Sequence, residues 1–130
     1  MTETAYARSK YRAPEIEHRY GANVHLLDDP VAFTLLARAC AIETKQPEVG
    51  RLVRFLYEKL AEVVAAAELP RARLDVPTRM VTSSPNAVVR GGGIAPGTRV
   101  VTVGIARAGT MPSQVVYDLL NELLDPAGVR

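Results

Sequence analysis

One stretch of the sequence brings together residue types that could hold an anion. Arg107-Ala108-Gly109-Thr110 follows the apolar run Val100–Ala106 and precedes Val115, Val116, Leu119, Leu120, Leu123 and Leu124, which recur at helical spacing. If the run is a strand, Arg107 stands at its carboxyl end, where open α/β sheets bind their ligands. A guanidinium there, beside free N–H groups of the Ala108–Thr110 loop and the positive end of a helix dipole, suits a phosphate. The surrounding charge agrees. Between Leu69 and Tyr117 the basic residues Arg71, Arg73, Arg79, Arg90, Arg99 and Arg107 are opposed only by Asp75, a local net charge of +5. A plain surface arginine at a strand end fits the same spacing, and spacing alone leaves both readings open.

The remaining reactive residue types point to no chemistry. Cys40 falls on an apolar helical face with no histidine near it in sequence, which reads as a buried, inert thiol. A single cysteine excludes an internal disulfide or a zinc site of several thiolates, and His18 and His25 are too few for a His-rich metal centre. Gly91-Gly92-Gly93 lacks the following Lys-Ser/Thr and the helix of a phosphate-cradling loop, so it reads as flexible backbone ending a hairpin. Tyr6, Tyr11 and Tyr20 interleave with Arg8, Lys10, Arg12 and Arg19, but Glu3, Glu15 and Glu17 offset the charge, which argues against nucleic acid.

Composition bounds the rest. The 130 residues carry 16 basic and 14 acidic side chains, a net charge of +2, with 48% hydrophobic and 23% charged residues. That describes one ordinary globular domain and rules out disorder as the dominant state. The longest apolar run, Val63–Ala67, is far short of the roughly 20 residues a membrane span needs. The first residues hold no apolar run to act as a signal peptide, so a cytoplasmic location is expected.

Residues 1–23 show no sustained period and read as an extended arm. Asn23–Leu27 is strand-like. Asp29 and Pro30 announce a helix to about Ile42, the carboxylate capping free N–H groups and proline losing nothing at the first helical position. A second helix spans Thr44 to Leu69, its stripe running from Val49 to Ala67, with Thr44 or Gln46 as cap and Leu69-Pro70 as stop. Asp75–Thr82 and Ala87–Arg90 are strands joined by Ser83–Asn86, and Pro96-Gly97 turns again. Val100–Ala106, apolar throughout, should be a strand covered on both faces. With the helix that follows and ends near Asp125-Pro126, it forms the first half of a βαβ crossover whose next parallel strand should begin at Arg130.

VTVGIARAGTMPSQVV resembles the apolar strand, Arg-Ala-Gly loop and following helix of uracil phosphoribosyltransferases. VHLLDDPVAFTLLARACAIET is similar to that family's opening strand and first helix, and MVTSSPNAVVRGGGIAPGTR to its hairpin and turn. Asp29 stands where many members have His. The resemblance covers about Val24 to Ala127; residues 1–23 look like an N-terminal extension, and 24–130 like the N-terminal part of a phosphoribosyltransferase-like domain. It implies an α/β fold, the N-terminal half of a parallel sheet with two N-terminal helices and a β-hairpin arm, incomplete as it stands. The family's acidic residue and Ala-Thr-Gly-Gly-Ser-like phosphate loop have no counterpart here, nor do its second diphosphate-binding arginine and its uracil loop.

What the resemblance implies for function is transfer of ribose 5-phosphate from phosphoribosyl diphosphate to uracil, giving UMP and diphosphate, in pyrimidine salvage. Arg107, Ala108, Gly109 and Thr110 would hold the diphosphate, Mg²⁺ would arrive with the sugar diphosphate, and the peptide between Ala106 and Arg107 would be cis. The implied partners are a second copy, through the hairpin 79–91, and a C-terminal complementary segment. Two other readings fit the same residues: an inactive truncated relative serving as a dimerising or regulatory nucleotide- or phosphate-binding module, and a phosphoribosyltransferase for another base.

Overall fold

A computed structural model describes residues 9–130, so Glu3, Tyr6 and Arg8 of the expected arm lie outside the described residues. Helix α1 spans Pro30–Cys40. Asp29 caps it as the sequence predicts: Oδ1 accepts from the Val31 N–H at 2.9 Å and the Ala32 N–H at 3.0 Å. Its second oxygen meets Lys59 Nζ at 3.0 Å, tying the start of α1 to the next helix. Both contacts favour the charged form. The Ala32 N–H first, then the Lys59 ammonium, hold the Asp29 carboxyl below its ordinary range, and Asp29 in turn pushes the Lys59 ammonium up.

Helix α2 runs from Glu48 to Glu68 and stops before Pro70. The N-cap position falls on Pro47, not on the expected Thr44 or Gln46, and carries no side-chain cap; Gln46, one residue earlier, still accepts from the Gly50 N–H through Oε1 at 3.1 Å. Arg38 at the end of α1 pairs with Glu48. Strands β1 (Arg71–Pro77) and β2 (Val88–Ile94) form a two-stranded antiparallel sheet. The register, Arg71 opposite Ile94 and Leu74 opposite Gly91, corrects the expected strands in two ways. β1 starts at Arg71 rather than Asp75, because pairing begins immediately where Pro70 ends the helix. The three glycines lie inside β2 rather than ending the hairpin. Leu74 explains one of them: a Cβ on Gly93 would sit 2.3 Å from Leu74 Cδ1, so the strand must be bare for that side chain to lie across it. Residues 78–87 make the turn, closed by the Thr78 N–H on the Ala87 carbonyl at 2.9 Å.

Helix α3 spans Thr110–Leu123, starting earlier than its apolar stripe, and a 3₁₀ turn occupies Pro126–Gly128. Asp125 caps that turn through the Ala127 N–H. Val129 then forms a parallel bridge with Val100. The Val100 N–H donates to Gly128 O at 3.0 Å, and the Arg130 N–H to Val100 O at 3.0 Å. The expected strand 100–106 is thus reduced to a single isolated bridge before α3, and no parallel sheet forms among the described residues.

Among the described residues the core consists of Leu52, Ala65, Val115, Leu120, Leu124 and Val129. It lies where α2, α3 and the C-terminal turn meet. The chain exposes 10344 Å², whereas a compact monomer of 14.1 kDa would expose about 6,700 Å². Two expected burials fail on that account. Val101, Val103 and Ile105 are 70, 82 and 80% exposed: the segment pairs only along the edge facing Val129–Arg130, and while Val100 packs against the core, nothing among the described residues buries the side that carries these three. Cys40 is exposed as well, because α1 contacts α2 through other residues and none of its own is buried. The expected arm also differs. Glu15 bridges Leu27 antiparallel, with the Ile16 N–H on Leu26 O at 2.8 Å and the Asp28 N–H on Pro14 O at 2.9 Å. Residues of the 1–23 extension therefore pair with the segment that opens the domain. In coarse terms the molecule is an α/β domain of three helices and a two-stranded antiparallel sheet.

Candidate functional site: the Arg107 turn

The extended segment 100–105 delivers its end to the N-terminus of α3 through one tight turn, and two glycines make that possible. A Cβ on Gly109 would lie 2.6 Å from both the N and the O of Ile105, backbone atoms that cannot move aside. A Cβ on Gly104 would lie 2.6 Å from Ser113 Oγ. The turn closes with the Gly109 N–H on Ile105 O at 2.7 Å and the Thr110 N–H on Arg107 O at 3.2 Å. The first helical turn is then secured by the Ser113 N–H on Gly109 O at 3.0 Å, while Ser113 Oγ donates to Thr110 O. The Ala106–Arg107 peptide is cis, as the resemblance implies.

These bonds correct the expected donor set. Two of the three loop amides, those of Gly109 and Thr110, are spent inside the turn. Of the three, the Ala108 N–H alone has no partner among the described residues. Arg107, Ala108 and Thr110 are exposed and Gly109 is half-buried. Neither the Arg107 guanidinium nor the Thr110 hydroxyl has a hydrogen bond or ion pair among the described residues. What remains for an anion is one five-donor fork, one amide, one hydroxyl and the positive end of α3.

The six arginines counted in the sequence do not form one field. Arg73 Nε and Arg90 Nε bracket Asp75 on the hairpin at 3.1 and 3.6 Å. Arg71 donates to the Ser9 and Ala66 carbonyls. No contact among the described residues joins either group to Arg107. Behind the turn lies what the sequence reading missed, an open apolar groove of about 550 Å³ between α2, residues 100–105 and α3. Leu60 and Val64 line one side, Val103 and Ile105 the other, with Pro112 and Val116 at its base. The signal was present in the exposed end of the α2 stripe, but periodicity does not reveal which part of a stripe is left uncovered.

No family model matches the chain, and no curated protein matches it significantly. The geometry alone therefore defines the site. Its exposed donors are of the types that suit a phosphate-type anion. Among the described residues no carboxylate or imidazole is paired with Arg107.

Proposed function

We propose that this chain supplies the diphosphate-holding loop of a uracil phosphoribosyltransferase-like enzyme. The observation that carries the reading is the exposed, unpaired Arg107 guanidinium beside the unpaired Ala108 N–H at the start of α3. In such a transfer, positive charge develops on the ribose while negative charge develops on the departing diphosphate. Donors already aimed at the leaving group lower that barrier by positioning and by electrostatics, without covalent chemistry. Arg107 would offer two parallel N–H groups to diphosphate oxygens, with the Ala108 amide and the Thr110 hydroxyl as single donors. Among the described residues no cluster of three carboxylate, imidazole or thiol groups is placed to hold an ion. On this reading Mg²⁺ would arrive with the sugar diphosphate, whose charge it would help neutralise. Uracil would be recognised by residues of a C-terminal complementary segment.

The experiment is titration of wild type and Arg107→Ala with phosphoribosyl diphosphate and with inorganic diphosphate, following the Ala108 amide resonance at the turn. Loss of its saturable movement by both ligands in the variant supports the reading, and equal affinity at that resonance in both proteins sinks it. The reading also proposes a dimer through the hairpin 79–91, whose arm is marginal as an isolated two-stranded unit. Sedimentation of a chain shortened within residues 83–89 checks that; unchanged behaviour removes the arm as the interface.

The non-catalytic alternative, a phosphate-binding module, is favoured by the spent amides of Gly109 and Thr110, which leave fewer donors than a full diphosphate cradle. Turnover separates the two. Diphosphate binding without release of diphosphate from phosphoribosyl diphosphate, in the presence of uracil and Mg²⁺, leaves the module standing. Release with another base but not with uracil selects a phosphoribosyltransferase of different specificity.

A further inference from the structure

A second concentration of uncompensated positive charge lies away from the Arg107 turn and shares no residue with it. Residues 9–12 of the N-terminal arm run past the end of α2 and the open end of the β1–β2 hairpin, enclosing a cleft of about 500 Å³. Among the described residues its charged lining is Lys10, Arg12 and Arg71, without a carboxylate, and Gly92 and Gly93 also line it. Arg71 is the residue that builds the place. Being the first residue of β1, just beyond the Pro70 stop, it donates to Ala66 O at 3.4 Å, one of the carbonyls left over at the end of α2. It also donates to Ser9 O at 2.8 Å, which fastens the arm.

Those two bonds account for part of Arg71 and nothing else in the cleft. Both acceptors are neutral carbonyls, so its full charge remains, and several of its five N–H groups are still unused. Lys10 and Arg12 have no ion pair among the described residues. Three cations gathered around one opening repel each other, a cost that an anion placed among them reverses. The volume falls in the range of small-molecule sites. An arginine fork and a lysine point charge are donors that phosphate oxygens take.

We infer that the cleft between the N-terminal arm and the β1–β2 hairpin is a binding site for a small phosphate-bearing anion. The inference does not depend on the role of Arg107. It is tested with inorganic diphosphate on the full chain carrying Arg107→Ala, following the Gly92 and Gly93 amide resonances, with sodium chloride of matched ionic strength as the control. The expected result is saturable movement of both resonances by diphosphate and not by chloride. Lys10→Gln with Arg12→Gln should weaken it at least tenfold, since both side chains lie on the arm and hold no secondary structure together. Arg71→Lys, which retains the charge and loses the fork, should weaken it by less than that pair does. Absence of saturable movement in the Arg107→Ala chain, or equal affinity in the Lys10→Gln/Arg12→Gln chain, overturns the inference. Because Arg107 is already replaced, failure here and failure of the diphosphate-loop reading are separate results.

Discussion

The hairpin and the Arg107 turn carry the same residue type to opposite ends. On the hairpin, Arg90 stands directly opposite Asp75 and Arg73 two residues before it on the same strand, and the two reach its carboxylate at 3.6 and 3.1 Å. At the turn, Arg107 has no such neighbour, and the nearest polar groups are donors like itself or are already bonded within the loop. The first arrangement uses arginine to satisfy a carboxylate on a solvated sheet. The second leaves a guanidinium available. A count of arginines along the chain cannot distinguish these, because what decides availability is whether an acceptor is held within reach.

Removing Arg107 should break the contrast most severely. Arg107→Ala is expected to weaken inorganic diphosphate binding at the turn by about 2 kcal/mol, the scale of a charge-assisted hydrogen bond. Its unfolding midpoint should stay close to wild type, since the side chain packs against nothing. Titration followed at the Ala108 amide resonance and a thermal melt measure the two quantities on the same protein.

Gly109→Ala attacks the turn from its backbone. The added Cβ would meet Ile105 backbone atoms at 2.6 Å, so the loop must open or the first turn of α3 must shift. Overpacking of this kind costs about 1–3 kcal/mol. A urea titration should show the loss, and anion binding should weaken with it because Arg107 is displaced. A stable Gly109→Ala chain with intact binding would mean the turn is looser than its contacts indicate.

Away from both regions, Asp29 provides a pH-dependent reference. Its carboxyl is held low in the folded chain, first by the Ala32 N–H and then by Lys59. The contribution is therefore fully present above the unfolded carboxyl value of about 3.9 and is lost as pH falls through the lower folded value. Asp29→Ala should lower the melting temperature at pH 7, and the difference from wild type should shrink toward pH 3. A difference that stays constant across that range would assign the effect to packing instead of charge.

Asp75→Asn should have the smallest effect on stability. Exposed pairs contribute about 0–1 kcal/mol, and here the partners are largely solvated, so the melt should hardly move. The electrostatic consequence is the useful one. Freeing Arg73 and Arg90 makes the hairpin resemble the turn, and retention on a cation-exchange column should increase more than replacement of Asp28 by Asn produces. Equal retention of the two variants would mean that Asp75 does not restrain those arginines in solution.

Much of the helical framework was legible in the residues themselves. Asp29-Pro30 announced α1 and supplied its cap, the long stripe announced α2, and Leu69-Pro70 ended it. The helix after the Arg-Ala-Gly turn also appears, but the run 100–106 read as a strand makes only the Val100–Val129 bridge. Caps, stops and 3.6-residue periods depend on groups within one or two turns of each other, so the sequence carries them locally. Burial and pairing do not work that way. That Val101, Val103 and Ile105 stand exposed, that Gly91–Gly93 are strand, and that Cys40 faces solvent each depend on which distant segment is or is not alongside. The same holds for the sites. Sequence singled out Arg107, but only the folded turn decided that the Gly109 and Thr110 amides are consumed within it. Only the folded arm brings Lys10 and Arg12 to Arg71, about sixty residues away, because a guanidinium bonded to Ser9 O and Ala66 O holds three separate segments at one point.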